Sequence, residues 1–300
     1  MTIDAHVHTY PSREIGRQAM MGSGRTDYGG TPEELLAIMA RAGITHSVMV
    51  NMTPMADMMD AALAKLPQDQ PPQQRAEAEA EAYRTIVGRL QRRNRWTCEV
   101  ARAHAQLIAF IGLDPGMTEE ELLTEVETRR AEGARGIKLH PAAQRFYPSD
   151  ERLSSVYTRA IDLRWPIIFH SGAFALGAAS STQAALQHFP PLLKSFPKLT
   201  VVLGHIGFGD FETSAAIAAD FPNAMFDCCY IVNGTEPSPA ISDDEAAAAF
   251  RRVGIDRVMF GSDYPWFDPA LDAARIERLP LSDGERRAIL RENAERVFGI

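Results

Sequence analysis

The sequence predicts an α/β fold, a (β/α)8 TIM barrel of parallel strands ringed by helices. Three observations carry this. Short apolar runs alternate with longer stretches of helical periodicity along all 300 residues, and such alternation implies a parallel sheet with covered faces. The short runs number eight, at 2–8, 47–51, 107–113, 134–140, 166–170, 199–203, 224–227 and 257–261, which is the number a closed barrel of this kind needs. No linker divides two cores, and no repeat beyond the alternation is visible, so residues 1–300 read as a single domain. A doubly wound open sheet is the alternative.

The elements follow in order. The chain enters strand one at its second residue. The first helix, 32–42, opens on Thr31-Pro32-Glu33-Glu34, a cap followed by proline and first-turn acids. Helices follow at about 74–106 and at 119–132, 149–164, 182–196, 211–220, 243–253 and 269–277. Asp114-Pro115-Gly116 stops the third strand. Ser282-Asp283-Gly284-Glu285 has the form of a capping box and starts a last helix, 283–297. Two stretches exceed a minimal barrel. Insertion 11–30 follows strand one and holds five glycines; insertion 53–106 follows strand two, and its first part carries Pro54, Pro67, Pro71 and Pro72. Both belong on the carboxyl-end face, where such barrels build their sites.

Composition excludes several classes. The chain is 45% hydrophobic and 23% charged, ordinary for a globular protein. Its formal charge of −8 argues against sequence-independent binding of nucleic acid. No apolar run approaches the roughly 18 residues of a membrane span, and residues 1–8 lack the form of a signal peptide. Three cysteines with no CxxC spacing fit a reducing cytoplasm rather than a disulfide framework or a thiolate zinc site.

Chemistry-bearing residues recur at one place in the pattern. His6 and His8 stand two apart on strand one and share a face. Lys138 and His140 end strand four, His170 ends strand five, His205 follows strand six, and Asp263 follows strand eight. A single strand-end histidine is ordinarily a packed core residue. Five strands presenting such groups at the same end of one barrel point to a site. Neutral imidazoles and a carboxylate suit a divalent ion with a position left open for water. Such an ion acidifies the water and polarises a carbonyl, and a neighbouring histidine or carboxylate carries the proton.

In this order, the His-x-His, Gly-Ile-Lys-Leu-His-Pro, His-Ser-Gly, Gly-His and Gly-Ser-Asp-Tyr-Pro segments resemble the amidohydrolase superfamily, specifically the amidohydrolase 2 branch of TIM-barrel hydrolases and decarboxylases. The resemblance spans most of the chain, from Asp4 to about Trp266. It implies one divalent metal, zinc ahead of manganese, held by His6, His8, His170 and Asp263, with His205 as the acid/base. Lys138-Leu139-His140-Pro141 is similar to the Lys-Leu-Tyr-Pro of some dihydroorotases, in which the lysine is carboxylated and bridges two metals. The single-metal branch implies instead a free Lys138 that acts on substrate. The branch includes lactonases, a hydratase and nonoxidative decarboxylases of aromatic and muconate-type acids. A hydrolase opening a lactone or other ester- or amide-like bond is the expectation, and a decarboxylase the alternative.

The substrate is expected to be a small carboxylated molecule, with His140, Arg25, Arg145, Tyr264 and Trp266 as contacts and Arg17 as a further loop arginine. Two rivals stand further off. A TatD-like nuclease would want a glutamate where Lys138 stands, and a noncatalytic barrel would not need the five-strand constellation. The methionines at 49, 52, 55, 58 and 59 read as gap-filling packing, or as the face of a homo-oligomer. The arginines at 89, 92, 93 and 95 read as one solvated helix face, and Cys228 and Cys229 as buried structural residues without a paired base.

Overall fold

A computed structural model describes residues 1–21, 23, 27–67, 69–172, 182–233 and 241–300. Eight strands form one sheet in sequential order: β1 Thr2–Val7, β2 Ile44–Met49, β3 Leu107–Gly112, β4 Gly136–Leu139, β5 Ile167–Phe169, β6 Val201–Leu203, β7 Ala224–Asp227 and β8 Val258–Met259. Every neighbouring pair is parallel. The ring closes from β8 to β1, where Ala5 N donates to Phe260 O at 2.8 Å and Asp263 N to His6 O at 2.9 Å. The (β/α)8 barrel read from the alternation is the architecture found.

Two apolar layers hold it. Ile3, Ala5, Val48, Phe110, Ile168 and Val202 face the barrel axis in one buried cluster, closed at the amino end by Ala294 and Phe298 of the last helix. Met49, Ile111, Leu139, Phe169, Leu203 and Phe226 face outward into the cluster shared with the surrounding helices. Strands buried on both faces are what a parallel barrel requires.

β1 departs from simple alternation. Ile3 and Ala5 point to the axis, so unbroken alternation would send His6 and His8 outward. The register against β2 shifts between Asp4 and Val7, which pair with Ser47 and Met49 and leave one extra residue on β1. This bulge puts Val7 into the outer cluster and returns the two histidines to the interior.

The helix Pro32–Ala42 keeps its expected bounds, with Thr31 capping Glu34 N and Gly43 ending it at φ 69°. Phe211–Asp220 and Asp243–Val253 also match. Three expectations are corrected. Stretch 182–196 is two short 3-10 turns followed by the helix Pro190–Ser195, because adjacent prolines tolerate a helix start but not a helix interior. Stretch 149–164 begins as a 3-10 turn capped by Asp150 before the helix Ser154–Leu163. The last helix is interrupted by a π turn, Ala288–Glu292, where the Ile289 carbonyl accepts from Phe260 N at 2.8 Å. Both insertions carry helices: Arg13–Ala19 in the first, Met55–Leu63 and Pro72–Ala103 in the second.

Glu34 fastens the strand-one loop to the strand-eight loop, accepting from Gly29 N at 2.7 Å, Gly30 N at 2.9 Å and the Tyr264 hydroxyl at 2.7 Å. Of the methionines in this cluster, Met49 ends β2 and is buried, Met55 is buried after it, and Met58 and Met59 pack against the core.

At Gly136 the β4 backbone runs against the Phe110 ring, and a Cβ there would lie 2.2 Å from Phe110 Cε2. Phe110 is fully buried and stacks edge-on against Phe298 at 5.7 Å, so the ring has nowhere to go. Gly136→Ala is therefore expected to cost about 1–3 kcal/mol of overpacking, read as a lower urea midpoint at unchanged m value.

Candidate functional site

The carboxyl ends of the strands bring the polar residues together. Lys138 lies within β4, and His140 follows it directly. His170 follows β5, His205 stands two residues after β6, Asp227 ends β7, and Asp263 comes from the loop after β8. His6, Lys138, His205 and Asp227 are each at most 2% exposed. The backbone is forced here: His205, Ile206, Phe208, Tyr230 and Asp263 all have positive φ, from 42° to 70°. Such strain clusters where a site over-determines its backbone.

Distances define the cluster. Asp263 Oδ1 is 3.3 Å from His8 Nε2 and 3.8 Å from His6 Nε2. Lys138 Nζ is 3.3 Å from His6 Nε2. His205 Nε2 is 3.1 Å from His170 Nδ1. His6, His8 and Asp263 converge closely enough to ligate one ion, and so do His6, His205 and Cys229.

Asp227, which the sequence reading passed over, organises the imidazoles. Its Oδ2 is 2.8 Å from His6 Nδ1, and its Oδ1 accepts from His205 N at 2.9 Å and from the Cys229 thiol at 2.7 Å. Proton positions follow by elimination. His6 donates from Nδ1 to Asp227, leaving a lone pair on Nε2. The Cys229 thiol spends its hydrogen on Asp227, so Cys229 Sγ, 2.9 Å from His205 Nδ1, accepts from that nitrogen. His205 Nε2 then accepts from His170 Nδ1. This leaves a bare lone pair on His170 Nε2, a buried atom with no hydrogen-bond partner among the described residues. A buried, unpartnered imidazole lone pair at the same strand ends as the converging His6, His8 and Asp263 is what a metal ligand looks like before its ion arrives, so the residues present fit a divalent metal. The reading of Cys229 as a structural thiol without a partner is corrected: it is buried, and it faces His205. The signal lay in its position just beyond Asp227 at a strand end.

Charge follows burial. Burial pushes His8 and His205 down to about 4, and His140 and His170 well below their usual value. The four rings are neutral at pH 7, the form that ligates. Lys138 is lowered by burial. Burial alone would raise Asp263, but the contacts around it, the hydrogen bond with His8 first among them, outweigh it and hold the carboxyl well below its usual range. Asp227 is held down in the same way by His6.

The substrate-contact residues expected from sequence are distributed unevenly. His140 stacks on His170 at 3.9 Å, and its Nδ1 caps the helix Pro141–Gln144 by accepting from Ala143 N at 3.1 Å. Trp266 meets the His8 ring edge-on at 5.2 Å. Tyr264 is fully buried and gives its hydroxyl to Glu34, away from the cluster. Arg145 is exposed and paired with Asp60, its Nη1 3.0 Å from Asp60 Oδ1. Arg17 is exposed. Arg25 lies outside the described residues. The aromatic wall is Phe208, 4.5 Å from the His205 ring and 5.1 Å from Tyr230, which lies 6.1 Å from Phe267.

Two outcomes follow from the electrostatics. Imidazoles with depressed values stay neutral in the folded chain while the unfolded chain takes up protons, so stability is lost as pH falls from 6.5 toward 4. Asp4, raised by burial to about 7, acts in the opposite sense over this window, but it is one group against four. The metal-free protein is expected to become less stable between pH 6.5 and 4, measured as a fall in urea midpoint. Asp227→Asn keeps the volume and loses the charge that orients His6, and is expected to weaken metal affinity about 10–100-fold by competition with a chromophoric chelator.

Comparison with known proteins places the fold. Among solved structures, 2,6-dihydroxybenzoate decarboxylase from Rhizobium is 17% identical with a TM-score of 0.69, over 99% of this chain and 98% of that one. A putative 2-pyrone-4,6-dicarboxylic acid hydrolase from Pseudomonas putida is 19% identical with a TM-score of 0.65, over 99% and 97%. A 5-carboxyvanillate decarboxylase from Novosphingobium aromaticivorans, complexed with manganese and 4-hydroxy-3-methoxy-5-nitrobenzoic acid, is 15% identical with a TM-score of 0.66, over 100% and 96%. At these identities the likeness is one of fold. No curated protein matches the sequence. The amidohydrolase family model matches residues 3–300, and the chain therefore belongs to the amidohydrolase 2 family of metal-dependent TIM-barrel enzymes.

Proposed function

We propose that the protein is a metal-dependent hydrolase that opens a lactone, or another ester- or amide-like bond, in a small carboxylated substrate. The observation that carries this is the ionised Asp263 carboxylate set between His6 and His8, together with the buried, unpartnered Nε2 of His170. His6, His8, His170 and Asp263 would hold one divalent ion, zinc ahead of manganese on this mixed nitrogen and oxygen set. When bound, such an ion acidifies a water and polarises the scissile carbonyl.

The residues divide the remaining work. Asp263 accepts the proton of the attacking water on a carboxylate oxygen and returns it to the leaving oxygen. His205, neutral, becomes the second proton acceptor when His170 Nδ1 releases its Nε2 lone pair. Asp227 and Cys229 fix its tautomer. Lys138 is a free amine in this reading, donating to His6 in the structure described and available to a substrate oxygen, rather than a carboxylated bridge between two metals. Three free, buried cysteines fit a reducing, cytoplasmic setting. No helix among the described residues is long and apolar enough to cross a membrane.

The aromatic wall of Phe208, Tyr230 and Phe267 favours a second reading, nonoxidative decarboxylation of a flat acid, in which the same proton is delivered to carbon. The two are told apart by product. The metal-loaded protein, assayed against a panel of carboxylated lactones and hydroxybenzoates, is expected to open a lactone. Carbon dioxide release from a hydroxybenzoate, with no lactone opened, establishes the second reading. Asp263→Asn is expected to lower kcat at least 1000-fold, by about 4 kcal/mol or more, while circular dichroism stays unchanged. Near wild-type turnover would remove Asp263 from the mechanism.

A further inference from the structure

The arginines at 89, 92, 93 and 95 do not form one solvated face. Arg89, Arg92 and Arg95 are exposed, but Arg93 turns in from the helix Pro72–Ala103 toward the mouth of the barrel. Its guanidinium donates from Nη2 to the carbonyl of Thr9, the residue after His8. It lies 4.7 Å from the centre of the Tyr10 ring and 5.0 Å from that of Trp96.

The helix is locked in register here. Thr97 Oγ1 donates to Arg93 O at 2.9 Å and accepts from Asn51 Nδ2 at 2.8 Å, and Asn51 Oδ1 accepts from Thr9 N at 2.9 Å. Arg93 is thus tied to the ends of β1 and β2, next to the histidine pair. What it lacks is an anion. No carboxylate pairs with it among the described residues, although the chain carries 39 Asp and Glu and a net charge of −8. Of the residues outside the description only Glu236 is acidic. Burial lowers Arg93 to about 10, and its rings-and-carbonyl setting supplies no counter-charge; Tyr10, raised by burial to about 12, stays a neutral phenol. A half-buried guanidinium without a counter-ion is costly, and its unused N–H groups form the planar fork that suits a carboxylate.

We propose that Arg93 is the anchor of a carboxylate subsite at the barrel mouth, binding the substrate carboxylate remote from the reacting bond. The Tyr10 and Trp96 rings hold the guanidinium plane, and the Thr9 carbonyl sets its direction. Arg93 takes over the role assigned from sequence to Arg145, which Asp60 occupies. The subsite rests on the hydrolase reading for its substrate but not for its test, which is a binding measurement.

The test is calorimetric titration of zinc-loaded and metal-free protein with benzoate, isophthalate and terephthalate, whose second carboxylates lie at two separations. Wild type is expected to bind at least one dicarboxylate tenfold or more tighter than benzoate. Arg93→Met is expected to abolish that preference, leaving benzoate affinity within about twofold, and Arg93→Lys, which keeps the charge and loses the fork, to retain part of it. A purely structural Arg93 would lower the melting temperature and weaken all three ligands in parallel, leaving their ratio intact. That result, or a wild type that does not discriminate, overturns the proposal. Should Arg93→Met not fold, an unchanged ratio in Arg93→Lys overturns it equally. Discrimination that depends on Arg93 in a protein with no turnover sinks the hydrolase reading and leaves the subsite standing.

Discussion

Closure of the barrel and assembly of the site both depend on one buried carboxylate, Asp4. Its Oδ1 accepts from His6 N at 3.1 Å and from Ser262 N at 3.0 Å, and its Oδ2 accepts from Ser262 Oγ at 2.6 Å. The first contact lies within the β1 bulge and the others hold the segment after β8, so a single side chain joins the first strand to the last. His6 comes two residues after Asp4 and Asp263 one residue after Ser262. The bond that shuts the ring also brings together the groups that would bind the metal. Asp4 is fully buried, where three hydrogen bonds from one partner strand and one bulge offset part of its desolvation.

Burial at the strand ends then decides the chemistry. Water is excluded, so the His8, His140, His170 and His205 rings stay neutral, while Asp227 and Asp263 stay ionised because the contacts around them, with His6 and His8 foremost, outweigh the burial. The hydrogen atoms of Cys229, His205 and His170 fall into one ordered chain that ends on a bare nitrogen. A site arranged in this way has little to reorganise when an ion enters, which is the physical meaning of preorganisation. Arg93, half-buried at the edge of this region, is conspicuous as a cation without a counter-ion among the described residues.

The two ends of the barrel divide stability from function. At the amino end the ring is plugged by apolar contact between Phe110 and Phe298. At the carboxyl end the backbone is strained at His205, Ile206 and Asp263 and the side chains are polar. Gly172, at φ 97°, lets the loops after β5 and β6 approach so closely that a Cβ there would lie 2.5 Å from the Gly207 carbonyl carbon; that contact keeps His170 and His205 within reach of each other.

The sequence by itself determined the eight strands, their parallel order, and the end of the barrel at which His6, His8, Lys138, His170, His205 and Asp263 gather. These are legible because alternation and strand ends are local patterns. Strand and helix limits slipped where local signals compete, as at Pro190-Pro191 and the π turn. Only the tertiary structure decided which face of β1 carries the histidines, since the extra residue between Asp4 and Val7 appears only once β2 is paired beside it. It alone paired Asp227 with His6 across 221 residues, set Cys229 against His205, gave Arg145 to Asp60, and turned Arg93 out of a basic helix run into the mouth. A side chain's partner is fixed by which strands lie side by side in space, and nothing in the spacing of residues along the chain carries that information.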